Sequence, residues 1–278
     1  MNTIEVVPVG GPVGAEIRGV DLSQELNADD LSKIKSAFAQ YGVVFFRDQK
    51  ITPDEHVRFT AHFGELEVMS FSRFSMPDKP EVLQLTNIQE NGKNIGVHDA
   101  GKEWHADSTY MQKPSYASFL YAREVPHNDQ GEPLGDTLFA PAFGHFEELD
   151  ADRRELLSSM KAIHTLDNRL VKKGETPPQL AIHPVVVTHP ITGRKCLFVN
   201  EGRCKEFVGL NEEESKVLLN NLLERLKSPE RVYRHKWRVG DLLMWDNIST
   251  QHLATHDYSW PQHRRLMHRT TVKGMALS

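Results

Sequence analysis

The sequence predicts a mostly β domain with flanking helices. Three observations carry this: short β-branched and aromatic runs recur along the 278 residues, long polar insertions separate them, and four amphipathic segments begin with helix caps. Asn27 caps the first helix, with Asp30 at N3, apolar Leu31, Ile34, Phe38 and Tyr41 at helical spacing, and Gly42 as the stop. Val43-Val44-Phe45-Phe46 then reads as a buried strand. Thr52-Pro53-Asp54-Glu55 is a capping box with proline at N1, opening a helix that Gly64 closes. A third helix starts near Asp150, and a fourth runs from the Asn211 cap through Leu218, Leu222 and Leu226. Further β-type runs occupy 82–85, 118–122, 185–188, 196–200, 242–245 and 265–272, and Pro190-Ile191-Thr192-Gly193 reads as a hairpin loop. With no internal repeat, residues 1–278 form one domain built on a closed or double-sheet β core.

A net charge of −5 without any basic block argues against nucleic acid or an anionic membrane as partner. No stretch approaches 18 apolar residues, and the first residues lack the pattern of a signal peptide, so a cytoplasmic protein is expected. Cys196 and Cys204 are too few for a disulfide framework and are expected to be free thiols. The polar segments 87–102 and 167–179 are long for a compact domain and are expected to cover an active site.

The sharpest local signal is Glu103-Trp104-His105-Ala106-Asp107-Ser108-Thr109. In an extended strand, residues two apart project to one face, so His105 and Asp107 point the same way. A third ligand can come from Trp245-Asp246-Asn247-Ile248-Ser249-Thr250-Gln251-His252, where a preceding apolar run delivers His252 to a strand end or rim. Two histidines and one carboxylate on one side of a metal leave the other positions open, as Fe(II) oxygenases require, whereas structural zinc sites close all four. Taken singly, each has a plainer reading: His-x-Asp arises by chance, and the chain has 14 histidines. Arg265 and Arg269 add to the case. On a strand they share a face with Met267 and Thr271, about 13 Å apart, and facing a core they would need anionic partners. A carboxylate gripped by a guanidinium fork meets that need; an edge strand with both arginines in water is the plainer reading.

Taken together, these residues resemble the taurine dioxygenase family, the TauD/TfdA group of Fe(II)- and 2-oxoglutarate-dependent dioxygenases. The likeness begins at Pro12-Val13-Gly14-Ala15-Glu16-Ile17 and continues through Phe63-Gly64-Glu65-Leu66, Trp104-His105-Ala106-Asp107 and Gly135-Asp136-Thr137. It runs on through Leu197-Phe198-Val199-Asn200-Glu201-Gly202 and Trp245-Asp246-Asn247 to His252, and ends at Arg264-Arg265 with His268-Arg269. The resemblance implies a distorted double-stranded β-helix, or jelly roll, with iron held at its open end by His105, Asp107 and His252. It implies that Thr137 and Arg265 hold the distal carboxylate of 2-oxoglutarate, that O2 is the second cosubstrate, and that Arg269 grips an anionic group of a small substrate. A homo-oligomer is expected.

The departures concern the substrate. Met69 stands where the family's taurine enzymes place a histidine, Gly101 or its neighbours replace an asparagine, and Arg203 and Leu170 replace aromatics. These changes argue against a taurine pocket proper. Met69 and Leu170 favour a more apolar substrate body, and Arg203 can meet a second negative group or lie in solvent. The His-Ala-Asp-Ser-Thr stretch, which puts Ser108 beside the metal site, and Tyr233-Arg234-His235-Lys236-Trp237 resemble the phenoxyalkanoate dioxygenases of the same family. The expected reaction is hydroxylation of a sulfonate, alkyl sulfate or phenoxyalkanoate, giving succinate and CO2, with C–S or C–O cleavage where the hydroxylated carbon bears such a group. Taurine itself, a zinc-dependent hydrolase and a non-catalytic jelly-roll binder are the alternatives.

Overall fold

The computed structural model describes residues 4–68, 72–166 and 180–277. All four helices begin where their caps predict. Asn27 accepts from the Asp30 backbone N–H at 2.8 Å and starts the helix Ala28–Tyr41. Gly42 ends it at φ 68°, donating its N–H to the Phe38 carbonyl at 2.8 Å. A Cβ at Gly42 would approach the Thr250 methyl to 2.8 Å, so the sharp entry into the strand Val43–Phe46 needs glycine both for conformation and for space. The capping box at Thr52 and Glu55 opens Pro53–Ala61. This helix stops before Gly64, because a tightened last turn hands the His62 N–H to Phe59. The helices Ala151–Ser159 and Glu212–Leu226 follow their Asp150 and Asn211 caps.

The largest sheet has eight strands, in the spatial order Glu5–Pro8, Ala15–Arg18, Val43–Phe46, Leu242–Asp246, Ala117–Glu124, Leu266–Val272, Lys79–Thr86 and Ser75–Met76. Only the pairing of Ala15–Arg18 with Val43–Phe46 is parallel. Opposite lies a three-stranded sheet with Thr137–Pro141 between Tyr233–His235 and Thr250–Ala254. Side chains from both sheets meet in one cluster, in which Phe45, Leu120, Leu243 and Met267 of the first pack with Phe139 of the second and with Trp237. The two sheets face each other as in the expected jelly roll. The first two helices cover the outer face of the large sheet, where Ile34, Phe38 and Phe59 bury against Val44, Phe46 and Phe119.

A third sheet joins Ala181–Pro184, Lys161–His164 and Cys204–Phe207, and packs with the last two helices around Leu157, Phe207, Leu222 and Leu226. The predicted hairpin pairs Val186–Thr188 with Lys195–Leu197. The expected run 196–200 is therefore a shorter strand, with one further ladder bond from the Phe198 N–H to the Val185 carbonyl at 2.8 Å. Segment 87–102 carries the small hairpin Gln89–Glu90 with Lys93–Asn94; segment 167–179 lies outside the described residues. Among the described residues, no helix is long and apolar enough to cross a membrane.

Phe59 is 2 % exposed and lies edge-on to Phe46, Phe63 and Phe119 with ring centroids 5.4, 5.5 and 5.9 Å away. Phe59→Ala should cost about 3–5 kcal/mol of stability, read as a lowered urea midpoint with unchanged far-UV circular dichroism at zero denaturant.

Candidate active site

His105 and His252 face each other across an isolated antiparallel bridge. His105 N–H donates to the His252 carbonyl at 3.0 Å, and His252 N–H returns a bond to His105 at 2.8 Å. This places the two imidazoles with centroids 4.1 Å apart. Asp107 joins them: its Oδ1 lies 3.8 Å from His105 Nε2 and 4.0 Å from His252 Nε2. One donor atom from each of the three lies within 4.8 Å of the others, and all three residues are buried.

Two expectations need correction. The stretch around His105 is not a continuous strand, because only His105 is bridged and the chain turns from Asp107, with Ser108 at φ 56° and Met111 N–H bonded to the Ser108 carbonyl. His252 does not sit at a rim of the preceding run either. It occupies the middle of its own strand, Thr250–Ala254, opposite Phe139. The loop before it is shaped by Asp246, whose carboxylate takes the Ile248 and Ser249 N–H groups and accepts from His189 Nε2 at 2.7 Å.

The donors suit a divalent metal. His105 Nδ1 donates to the Glu103 carbonyl at 2.8 Å, which leaves the Nε2 lone pair facing Asp107. Burial lowers the pKa of both histidines, and His252 is lowered further by His105, so both are neutral near pH 7. Burial works against ionisation of Asp107, yet Arg269, His252, His105 and Ser118 together hold its carboxyl well below the usual range.

Asp107 is also held in place. Its Oδ2 accepts from Ser118 Oγ at 2.7 Å and from Arg269 Nη2 at 2.8 Å. Asn247 accepts both the Asp107 backbone N–H and the Trp245 indole N–H on Oδ1, and donates from Nδ2 to Ser118. Ser118 and Asn247 escaped the sequence reading. The Trp245-Asp246-Asn247 motif marked the second of them, but its task depends on pairing with distant residues.

A cavity opens from His105 and His252 towards Arg265, bordered by Thr137, Leu120, Tyr258, Arg269 and, from the preceding segment, Val97, His98, Ala100 and Gly101. The expected covering role of segment 87–102 thus holds for its end. Arg265 is buried, and Gly135 is placed so that a Cβ would sit 2.8 Å from Arg265 Nε. Among the described residues Arg265 forms no ion pair: Nη2 reaches the Gly135 carbonyl at 3.5 Å, the Tyr258 side chain is a further hydrogen-bond partner, Asp257 acts on it only through its charge, and Nε is unpaired. Burial lowers its pKa, opposed by Tyr258. Thr137 Oγ1 accepts from the fully buried Trp237 indole at 3.0 Å, so its own proton is left to donate. Trp237 was likewise not foreseen in this role.

A family model described as "Taurine catabolism dioxygenase TauD, TfdA family" matches residues 5–271. The chain belongs to the TauD/TfdA dioxygenase family. It is 30% identical to pentalenolactone F synthase of Streptomyces arenae, over 95% of this chain and 93% of that one. It is 29% identical to the α-ketoglutarate-dependent 2,4-dichlorophenoxyacetate dioxygenase of Cupriavidus pinatubonensis, over 93% and 94%. A solved taurine dioxygenase structure from Burkholderia xenovorans superposes with a TM-score of 0.84 at 32% identity, covering 99% of this chain and 92% of that one. The TauD/TfdA membership makes the chain an oxidoreductase of the 2-oxoglutarate-dependent class, with a His-Asp-His group able to hold its metal.

Of the remaining expected site residues, Ser108 is buried beside Asp107, its Oγ hydrogen-bonded to Ser115 Oγ at 3.0 Å. Arg203 is half-buried in a turn packed on His105. Met69 and Leu170 lie outside the described residues. Ser118→Ala should weaken divalent metal binding about 10–100-fold, since it frees the Asp107 carboxylate and strands an Asn247 donor; an anaerobic Co(II) titration measures it.

Proposed function

We propose that this TauD/TfdA protein is an iron(II)- and 2-oxoglutarate-dependent dioxygenase that hydroxylates a small organic anion. One observation carries the reading: the two neutral histidines of the triad line one cavity with the buried Arg265, which forms no ion pair among the described residues, and the ionised Asp107 stands beside them. A cation so placed calls for an anionic ligand.

Bound iron(II), with 2-oxoglutarate and O2, supplies C–H hydroxylation and yields succinate and CO2. The chain's part is placement. His105, Asp107 and His252 offer three donors and leave coordination positions for cosubstrates. Arg265 and Thr137 take the far carboxylate of 2-oxoglutarate, the arginine by charge and the threonine by the proton that Trp237 leaves free. Arg269 uses one amino group on Asp107, and we assign its remaining donors to an anionic substrate group.

Sulfonates, alkyl sulfates and phenoxyalkanoates fit that assignment, and hydroxylation beside sulfur or ether oxygen would release a carbonyl compound. A zinc-dependent hydrolase has no use for an unpaired guanidinium beside the metal. The buried free thiols Cys196 and Cys204, whose pKa values burial pushes up to about 12, support a reducing, cytoplasmic setting.

Iron-dependent consumption of 2-oxoglutarate, measured with taurine, hexyl sulfate and phenoxyacetate, tests the reading. Asp107→Ala should abolish succinate formation with the fold retained; full turnover in that variant would remove the ligand assignment. Arg265→Ala should raise KM for 2-oxoglutarate about tenfold or more while changing substrate KM far less, and Trp237→Phe should shift it the same way by a smaller factor. Equal effects on both KM values would show the arginines to be wrongly assigned.

A further inference from the structure

Two turns meet on the triad. The first runs from Asp107 to Met111. His183 pins it by directing one ring nitrogen at the carbonyls on either side of Tyr110, Thr109 at 2.9 Å and Met111 at 3.0 Å. The second carries Asn200 to Arg203, closed by the Cys204 N–H on the Asn200 carbonyl. The two are clamped together, because Gly202 N–H donates to the Trp104 carbonyl at 3.0 Å and Asn200 Nδ2 to Thr109 Oγ1 at 3.4 Å. Gly202 packs so closely that a Cβ there would lie 3.4 Å from that of His105.

Tyr110 and Arg203 are therefore delivered to one place beside the metal ligands. Neither lines the Arg265 cavity. Arg203 is half-buried, its Nε is buried without a partner, and Nη1 reaches only the adjacent Gly202 carbonyl at 3.1 Å. It forms no ion pair among the described residues. Glu67, which accepts from Ser115, acts on Tyr110 as Asp107 does.

We propose that Arg203 and Tyr110 form a second anion subsite, so that the preferred substrate is a small dianion with one acidic group towards Arg269 and another towards Arg203. The inference rests on the functional reading above. An anchored phenol and a guanidinium lacking a carboxylate offer a charged and a neutral donor to the same acceptor, and charge-assisted bonds of this kind are about twice as strong as neutral ones. Two anchors at opposite ends of a short molecule also fix which carbon faces the metal.

The test compares matched probes on the iron-loaded enzyme with 2-oxoglutarate, without oxygen, by titration calorimetry: phenoxyacetate against 4-carboxyphenoxyacetate, and hexyl sulfate against 6-sulfooxyhexanoate. The dianion of at least one pair should bind about tenfold or more tightly. In Arg203→Gln that ratio should fall to about one, with Arg203→Lys restoring part of it and Tyr110→Phe lowering it by a smaller factor; circular dichroism checks that each variant is folded. Equal affinity within both pairs, no measurable dianion binding, or an undiminished ratio in Arg203→Gln would overturn the proposal. Iron-dependent 2-oxoglutarate consumption is followed separately. Its absence beside an intact dianion preference would sink the functional reading alone, and its presence without that preference would sink this inference alone.

Discussion

Two backbone hydrogen bonds between His105 and His252 determine where every other group at the site must stand. A reciprocally bonded antiparallel pair holds its Cα atoms about 5.5 Å apart with side chains on a common face. The imidazoles meet by geometry of the main chain, before any metal is considered. The strand bearing His252 is in turn zipped to Thr137–Pro141, with Thr137 opposite Ala254. His252 and Thr137, a proposed metal ligand and a proposed cosubstrate donor, thus belong to a single small sheet, and His105 is bridged to its edge. Arg265 and Arg269 come from the beginning and middle of Leu266–Val272 and its approach in the facing sheet, and the cavity is the gap between the two.

Charge completes what the bridge begins. Two guanidiniums are buried in one cavity with a carboxylate, Asp107, behind one of them, and their partners differ. Asp107 is balanced by Arg269 and held by Ser118. Arg265 forms no ion pair among the described residues: it has a long contact to the Gly135 carbonyl, the Tyr258 side chain with its ring centroid 5.6 Å from Cζ, and Asp257 acting on it from a distance. Removing such a cation from water without a counter-charge is costly, and the surrounding fold must offset that cost. Natural structures accept such a burden where a ligand relieves it, which is why an unbalanced arginine says more about function here than the balanced one.

The helices were legible because their signals are local. Asn27, Thr52, Asp150 and Asn211 each bond a backbone N–H three residues on, an interaction contained in four consecutive letters. The apolar strands at 43–46, 118–122 and 242–245 were equally plain. Thr137–Pro141 and Thr250–Ala254 were not, since their polar residues serve the site instead of following an alternating pattern. The triad was legible as ordered motifs, but the turn at Asp107 was not, because Ser108 adopts a left-handed conformation that a serine does not announce. Asn247 and Trp237 act through partners a hundred residues or more away, as in the contact of Trp237 with Thr137, and pairing at that range cannot be read along the chain. Ser118 reaches Asp107 across only 11 residues, but through the turn that the sequence does not announce.

Asp107 finds its counter-charge inside the polypeptide, and this sets the protein apart from small metallo-folds whose ligands repel one another until the ion arrives. Its donors are ordered in advance, so little conformational entropy is lost on loading. Chelation should empty the centre without unravelling the chain, and the same molecules should accept a fresh ion afterwards. A catalyst built this way can lose its metal to oxidation or competition and be recharged, with no need for synthesis of a new copy.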